Sequence, residues 1–257
     1  MHFGKKENFS TMRFSPCLLF LNGEYWGFYQ MAERYDALYF AHHYRVNPDN
    51  VVYIKEGEVN LGLSSDLALY EELQKWISEN DMTVPENYKK ACEKIDMDSL
   101  LSYYAFEIYI ANGDWPFSNV GLWRTRETGK GKYEDGKWRY VLFDVNGECM
   151  AESKIRDNTL QTAIDHDAIF GSLCQNKEFQ QAFLEKLQTL ATSTFSKEQV
   201  EPFIRNYLQT YATPMQVHRK RFFEGSPDPF AKEMQGIQRF FEERASYLIP
   251  VARKTFG

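Results

Sequence analysis

Two apolar, aromatic runs, "CLLFL" and "EYWGFYQM", flank Asn22-Gly23 near the start of the chain. Asn-Gly accepts the positive φ angles of a tight hairpin turn, so strands are expected near 17–21 and 25–31. "RYDALYFAHHY" then carries a helical pattern and "NVVYIKEG" a short strand. "SSDLALYEELQKWISEN" reads as an amphipathic helix with Leu69, Leu73 and Trp76 on its inner face. The stretch "MDSLLSYYAFEIYIAN", 97 to 112, is apolar almost all round, as a helix at the centre of a helical layer must be. After it, 119–125 and 137–143 pattern as a second pair of strands around the polar loop "RETGKGKYEDG". From about 157 onward the period is helical, over 177–192, 196–212 and about 230–249, with Met234, Ile237, Phe241 and Leu248 facing inward.

The pattern therefore predicts an α+β fold in a single domain over 1–257. A small β-containing lobe would run to about residue 80 and a larger α-rich lobe over 81–257, the latter carrying the hairpin 119–143.

Composition narrows the function. Aromatic residues make up 16% of the 257 residues, which favours a dense core over disorder. A net charge of −6 argues against a nucleic-acid partner, whose phosphates need clustered Lys and Arg; the one dense cluster, His218 to Arg221, is too short to change that. Cys17, Cys92, Cys149 and Cys174 are scattered, so they read as free thiols and not as zinc ligands. No apolar run approaches ~20 residues, so no membrane span is expected. The opening "MHFGKKENFSTMRF" lacks the apolar core of a signal peptide, which leaves the compartment open. Oligomeric state is not legible.

Three positions around the second hairpin carry candidate chemistry. With a symmetric register, Thr125 faces Trp138 and Asn119 faces Asp144, which sets the last pair ~5 Å apart at Cα. An amide and a carboxylate at the open end of a hairpin suit Mg²⁺, which takes oxygen donors and keeps phosphate oxygens in its shell. Asp114, in the loop before the hairpin, can reach the same point. Asp114 and Asn119 stand as D-x-x-x-x-N and Asp144 opens "DVNG", the order of the catalytic Asp, metal-binding Asn and metal-binding Asp of protein kinases. The alternative is purely structural: Asp114 caps a turn, Asn119 closes a strand and Asp144 starts a loop.

The segments "LNGEYWGFYQMAERYD", "KIDMDSLLSYYAFEIYIANGDWPFSNVGLWR" and "GKWRYVLFDVNG" resemble the CotH (spore coat protein H) family of atypical, secretory-type protein kinases. The resemblance runs from about residue 16 to the end. It implies a kinase-like fold, ATP with Mg²⁺ or Mn²⁺, phosphoryl transfer to Ser or Thr of a protein substrate, and a secreted or cell-envelope setting. On the matching positions Asp114 is the catalytic or metal-binding Asp, while Asn119 and Asp144 hold the metal. Asn146, also a candidate metal ligand, stands where the family shows the second Asp of Asp-x-Asp.

Further candidates follow from what a kinase site needs. Lys55, closing its strand, would meet the phosphates and Glu33 would orient it. Arg124 would either touch phosphate or pair with an acid. Asp165-His166-Asp167 reads as a helix start, and His42-His43 as one packed and one solvated ring. A second function class stays open: a kinase-like scaffold or binding protein of the envelope or spore coat whose turnover is weakened, as Asn146 would permit.

Overall fold

The computed structural model describes residues 2–146, 149–224 and 229–257. The chain opens with β1 (Ser10–Thr11) and the hairpin β2 (Phe14–Leu21) and β3 (Glu24–Ala32). Asn22 and Gly23 both take positive φ, 52° and 85°, and turn the chain back as expected. Asp36 accepts the amide hydrogen of Tyr39 and starts α1 (Ala37–Tyr44). Then come β4 (Val51–Lys55), β5 (Glu58–Leu61), α2 (Ser64–Glu79), α3 (Pro85–Lys94) and α4 (Met97–Tyr109). A loop leads to β6 (Gly121–Thr125) and β7 (Arg139–Leu142), and helices follow: α5 (Thr159–His166), α6 (Ala168–Leu173), α7 (Lys177–Thr189), α8 (Lys197–Phe222) and α9 (Phe230–Phe256). This is the α+β, β-first and α-rich-after arrangement that the pattern predicts.

Five strands form one mixed sheet in the order β1-β7-β6-β4-β5, while β2 and β3 form a separate two-stranded sheet. Strands from both sides of residue 80 share the larger sheet. Its two faces are both covered. Val52, Ile54, Leu122, Tyr140 and Leu142 pack into the main core with α4, and Val51, Tyr53, Trp123, Val141 and Phe143 pack with Tyr35, Tyr39 and Phe40. The short β1 is fixed by long-range bonds: the Tyr35 hydroxyl donates to the carbonyls of Ser10 and Leu142, and Trp123 Nε1 donates to Ser10 Oγ.

The β6–β7 register differs by one residue from the symmetric expectation. Trp123 faces Arg139 and Gly121 faces Val141, so continuing the ladder sets Asn119 opposite Phe143 instead of Asp144. A slip of one residue would turn Tyr140 and Val141 to the wrong cores, and two filled faces hold the observed register against it. In α2 the buried face is Asp66, Tyr70 and Ile77, with Leu73 and Trp76 partly covered and Leu69 on the solvent side. Buried Asp66 is there because Arg126 Nη2 donates to it at 2.7 Å, an attraction invisible to apolar periodicity. Helix α8 runs past the expected stop at 212 and through Pro214. Only Val200 and Ile204 of α8 are buried, so the carbonyl left free by Pro214 lies on a helix largely open to water.

Candidate functional site

Helix α4 delivers the chain to Asp114, and the loop that carries Asp114 is pinned at three points. Asn112 Nδ2 donates to the buried Glu107 carboxylate at 2.9 Å. Trp115, 1% exposed, packs edge-on to Tyr103 and Tyr104. The Tyr103 hydroxyl donates to the Asn119 carbonyl at 3.1 Å. Asp114 itself stays exposed, and Asn119 is buried. An anchored loop thus presents one carboxylate to solvent without freedom to drift.

Asp144 follows the buried Phe143 at the end of β7. Asn119 and Asp144 both adopt left-handed backbone, with φ of 62° and 52°. Asn and Asp tolerate this region best among residues with a side chain, and such positions cluster at functional sites. Asp144, Val145 and Asn146 open onto a cleft of about 440 Å³. Its other walls come from Phe14, Pro16 and Gln30 of the β2–β3 hairpin and from Phe203, Tyr207 and Tyr211 of α8, with His2 and Lys5 at one side. The size and mixed aromatic and polar lining are those of a small-molecule pocket.

Cys149 links the two acidic residues electrostatically. Its buried thiol, bonded to the Val145 carbonyl at 3.2 Å, is pushed up to about 12, first by burial and then by the charges of Glu107, Asp114 and Asp144. Both Asp114 and Asp144 are therefore near enough to act on one thiol. Among the described residues no three His, Cys, Asp or Glu side chains cluster as a metal cage. Two carboxylates and two amides remain, a hard oxygen set of the kind that serves Mg²⁺ when substrate phosphates and water complete the shell.

The remaining candidates separate. Lys55 Nζ lies 4.7 Å from the centre of the Phe143 ring, beside the start of the Asp144 segment, and its carboxylate partner is Glu56 at 3.5 Å. Glu56 also receives the Asn119 amide hydrogen at 3.4 Å. Glu33 is not paired with Lys55: its oxygens accept from the Arg13 amide at 2.9 Å and meet His43 Nε2 at 3.1 Å. Arg124 meets Asp66 at 3.9 Å and lies over the Trp138 ring, so it takes the acid-pairing alternative. Asp167 caps α6 by accepting from the Phe170 amide, which makes the Asp165 to Asp167 stretch a helix boundary.

Three features escaped the sequence reading. Lys5 reaches the cleft from far upstream, and Glu56 takes the place given to Glu33; neither has a local signature. Glu107 did leave a signal, as an acidic side chain on a helix otherwise buried all round.

Comparison with known proteins agrees with this geometry. Inner spore coat protein H of Bacillus subtilis (strain 168) is 23% identical over 256 residues, covering 89% of this chain and 68% of the relative. The family described as CotH kinase protein matches residues 1–248. With nearly its whole length matched, and with Asp114, Asn119 and Asp144 set around the end of one sheet, the chain belongs to the CotH family.

Proposed function

We propose that the chain transfers the γ-phosphoryl group of ATP to a Ser or Thr hydroxyl of a protein, with Mg²⁺ or Mn²⁺ at the phosphates. The observation that carries this reading is Asp144, exposed on a left-handed backbone at the rim of a 440 Å³ cleft, with Asp114 near enough to act on the same thiol. Asp144, Asn119 and Asn146 would hold the metal, which supplies charge neutralisation at the transferring group. Lys5 in the cleft wall and Lys55, held by Glu56, are the cations offered to phosphate oxygens. Asp114 accepts the acceptor hydroxyl's proton as that oxygen bonds to phosphorus; the bond from phosphorus to the bridging oxygen breaks and ADP leaves. By analogy with its relative, whose name places that protein in the inner spore coat, this chain would work in a spore coat or envelope layer.

A second reading rests on Asn146. An amide in place of the second Asp of Asp-x-Asp removes a charge from the metal site, which suits a scaffold that binds without turnover. One pair of measurements separates the readings. Mn²⁺-ATP should raise the melting temperature, because a ligand of the folded state stabilises it by mass action, and label from [γ-³²P]ATP should appear on a generic protein substrate. A thermal shift without transfer favours the scaffold; neither effect defeats nucleotide binding altogether.

A further inference from the structure

The β2–β3 hairpin leaves one face uncovered. The ladder pairs Ser15 with Met31, Cys17 with Tyr29 and Leu19 with Gly27, so these side chains share a face. The opposite face meets α8, where Phe28 contacts Tyr211, and lines the cleft. The uncovered face carries no charged side chain at these positions. Leu21 is 44% exposed, Tyr29 43% and Met31 67%. At Gly27 the face continues onto α8: a Cβ there would lie 2.9 Å from His218 and 3.1 Å from Phe222, whose ring is 43% exposed.

We propose that this face is where a second copy of the chain packs, hairpin against hairpin. Three observations favour that occupant. First, the strand edges are blocked. Phe28 donates its amide hydrogen outward to His218 Nδ1 at 3.1 Å, so α8 covers the β3 edge there. Because Leu18 pairs with Phe28, the even-numbered β2 residues also point their amides outward, and at Pro16 that donor is missing. Packing across the face is left, as in two-sheet sandwiches. Second, an isologous contact brings each residue near its own copy, and a face without charge meets no repulsion there. An anionic membrane or an acidic peptide would find no counter-charge on it. Third, the exposed apolar area of the face with Phe222 and Phe223 is on the order of 600 Å² per copy, at the low end for specific interfaces. That area fits a dimer of micromolar affinity. The proposal does not rest on the phosphotransfer reading.

The test is sedimentation velocity on the whole chain from about 1 to 100 µM, spanning the affinity such an area supports. The wild type should pass from monomer to dimer over that range. Met31→Glu, at an exposed position, should stay monomeric with an unchanged melting temperature. Mild oxidation of the dimer should cross-link it through Cys17, free and mid-face, and Cys17→Ser should abolish that product. A wild type that is monomeric throughout overturns the proposal, as does a dimer that Met31→Glu leaves intact. Monomers that co-sediment with phosphatidylglycerol vesicles, and lose this in Met31→Glu, assign the face to a membrane instead and also overturn it.

Discussion

Glu107 and Asn112 share a buried hydrogen bond of 2.9 Å that closes the turn between α4 and the Asp114 loop. The second Glu107 oxygen, Oε1, has no protein partner, and the residue is 0% exposed. Burial pushes the carboxyl up to about 8 from 4.5, against the opposing pull of the Asn112 bond. A carboxyl that is harder to ionise in the folded state favours folding only while it is protonated. Its contribution is full below about pH 4.5, declines as the unfolded chain ionises and is lost by about pH 8, a swing of a few kcal/mol. Glu107→Gln should remove that swing and be more stable than wild type at pH 8. Urea unfolding at pH 5 and pH 8 reads it; an identical pH slope in both proteins would sink the assignment.

Arg244 is buried without a carboxylate at hydrogen-bond distance. Its guanidinium donates to the carbonyls of Ile108, Tyr109, Ile155 and Asp157 and to Thr159 Oγ1. These bonds fasten α9 to the end of α4 and to the segment after the Asp144 loop. Arg244→Met leaves several buried carbonyls unpaired and should cost about 3–5 kcal/mol in denaturant unfolding. Arg244→Lys, keeping the charge but not the fork, should recover only part of this. A loss under ~1 kcal/mol in the Met variant would mean that the carbonyls find water.

Gly27 has φ of 141°, and its missing Cβ leaves room for His218 and Phe222. Gly27→Ala should destabilise by about 1–3 kcal/mol through backbone strain and the displaced helix end. Thermal melts of Gly27→Ala with and without His218→Ala separate the two causes: relief in the double variant assigns the cost to the helix contact.

What the sequence exposed and what it hid divide along physical lines. The Asn22-Gly23 turn was legible because both residues favour positive φ, and α4 because nothing but burial explains an apolar surface all round. The β6–β7 register was not. Its strands are buried on both faces, so the alternation that normally fixes a register is absent. The parallel pairing of β1 with β7 depends on Tyr35 and Trp123, distant residues that no local pattern ties to Ser10. At the candidate site, Asp114, Asn119 and Asp144 could be picked out by spacing, whereas Lys5 and Glu56 are brought there by chain crossings.

The cations of the cleft can be ranked by substitution. Lys5 lines the cleft, Lys55 sits beside Phe143, and Glu33 is engaged with Arg13 and His43. Under the phosphotransfer reading, Lys5→Ala and Lys55→Ala should each weaken Mn²⁺-ATP binding about tenfold, near 1.4 kcal/mol. Glu56→Gln should weaken it less, and Glu33→Gln should leave it within twofold. Titration calorimetry on the four variants checks the order; a large effect confined to Glu33→Gln would restore Glu33 as the residue that orients the lysine.

Asn146 and Asp144 flank Val145 on the same cleft wall and differ in charge. An amide offers the metal one oxygen without charge, while a carboxylate adds Coulomb attraction to a divalent ion. If the site is competent, Asn146→Asp should tighten Mn²⁺-ATP binding and raise phosphotransfer, because it adds the missing carboxylate. Asp144→Asn should abolish both, since it removes the charge that opens onto the cleft. Both positions are exposed, so the substitutions should leave the melting temperature of the nucleotide-free protein unchanged. Calorimetric titration of the wild type and both variants decides between the two readings. Tightening in Asn146→Asp with loss in Asp144→Asn supports the metal site, and binding without transfer in Asn146→Asp supports the scaffold. Equal affinity in all three would place the nucleotide elsewhere and leave the D-x-x-x-x-N and DVN elements as loop-shaping residues alone.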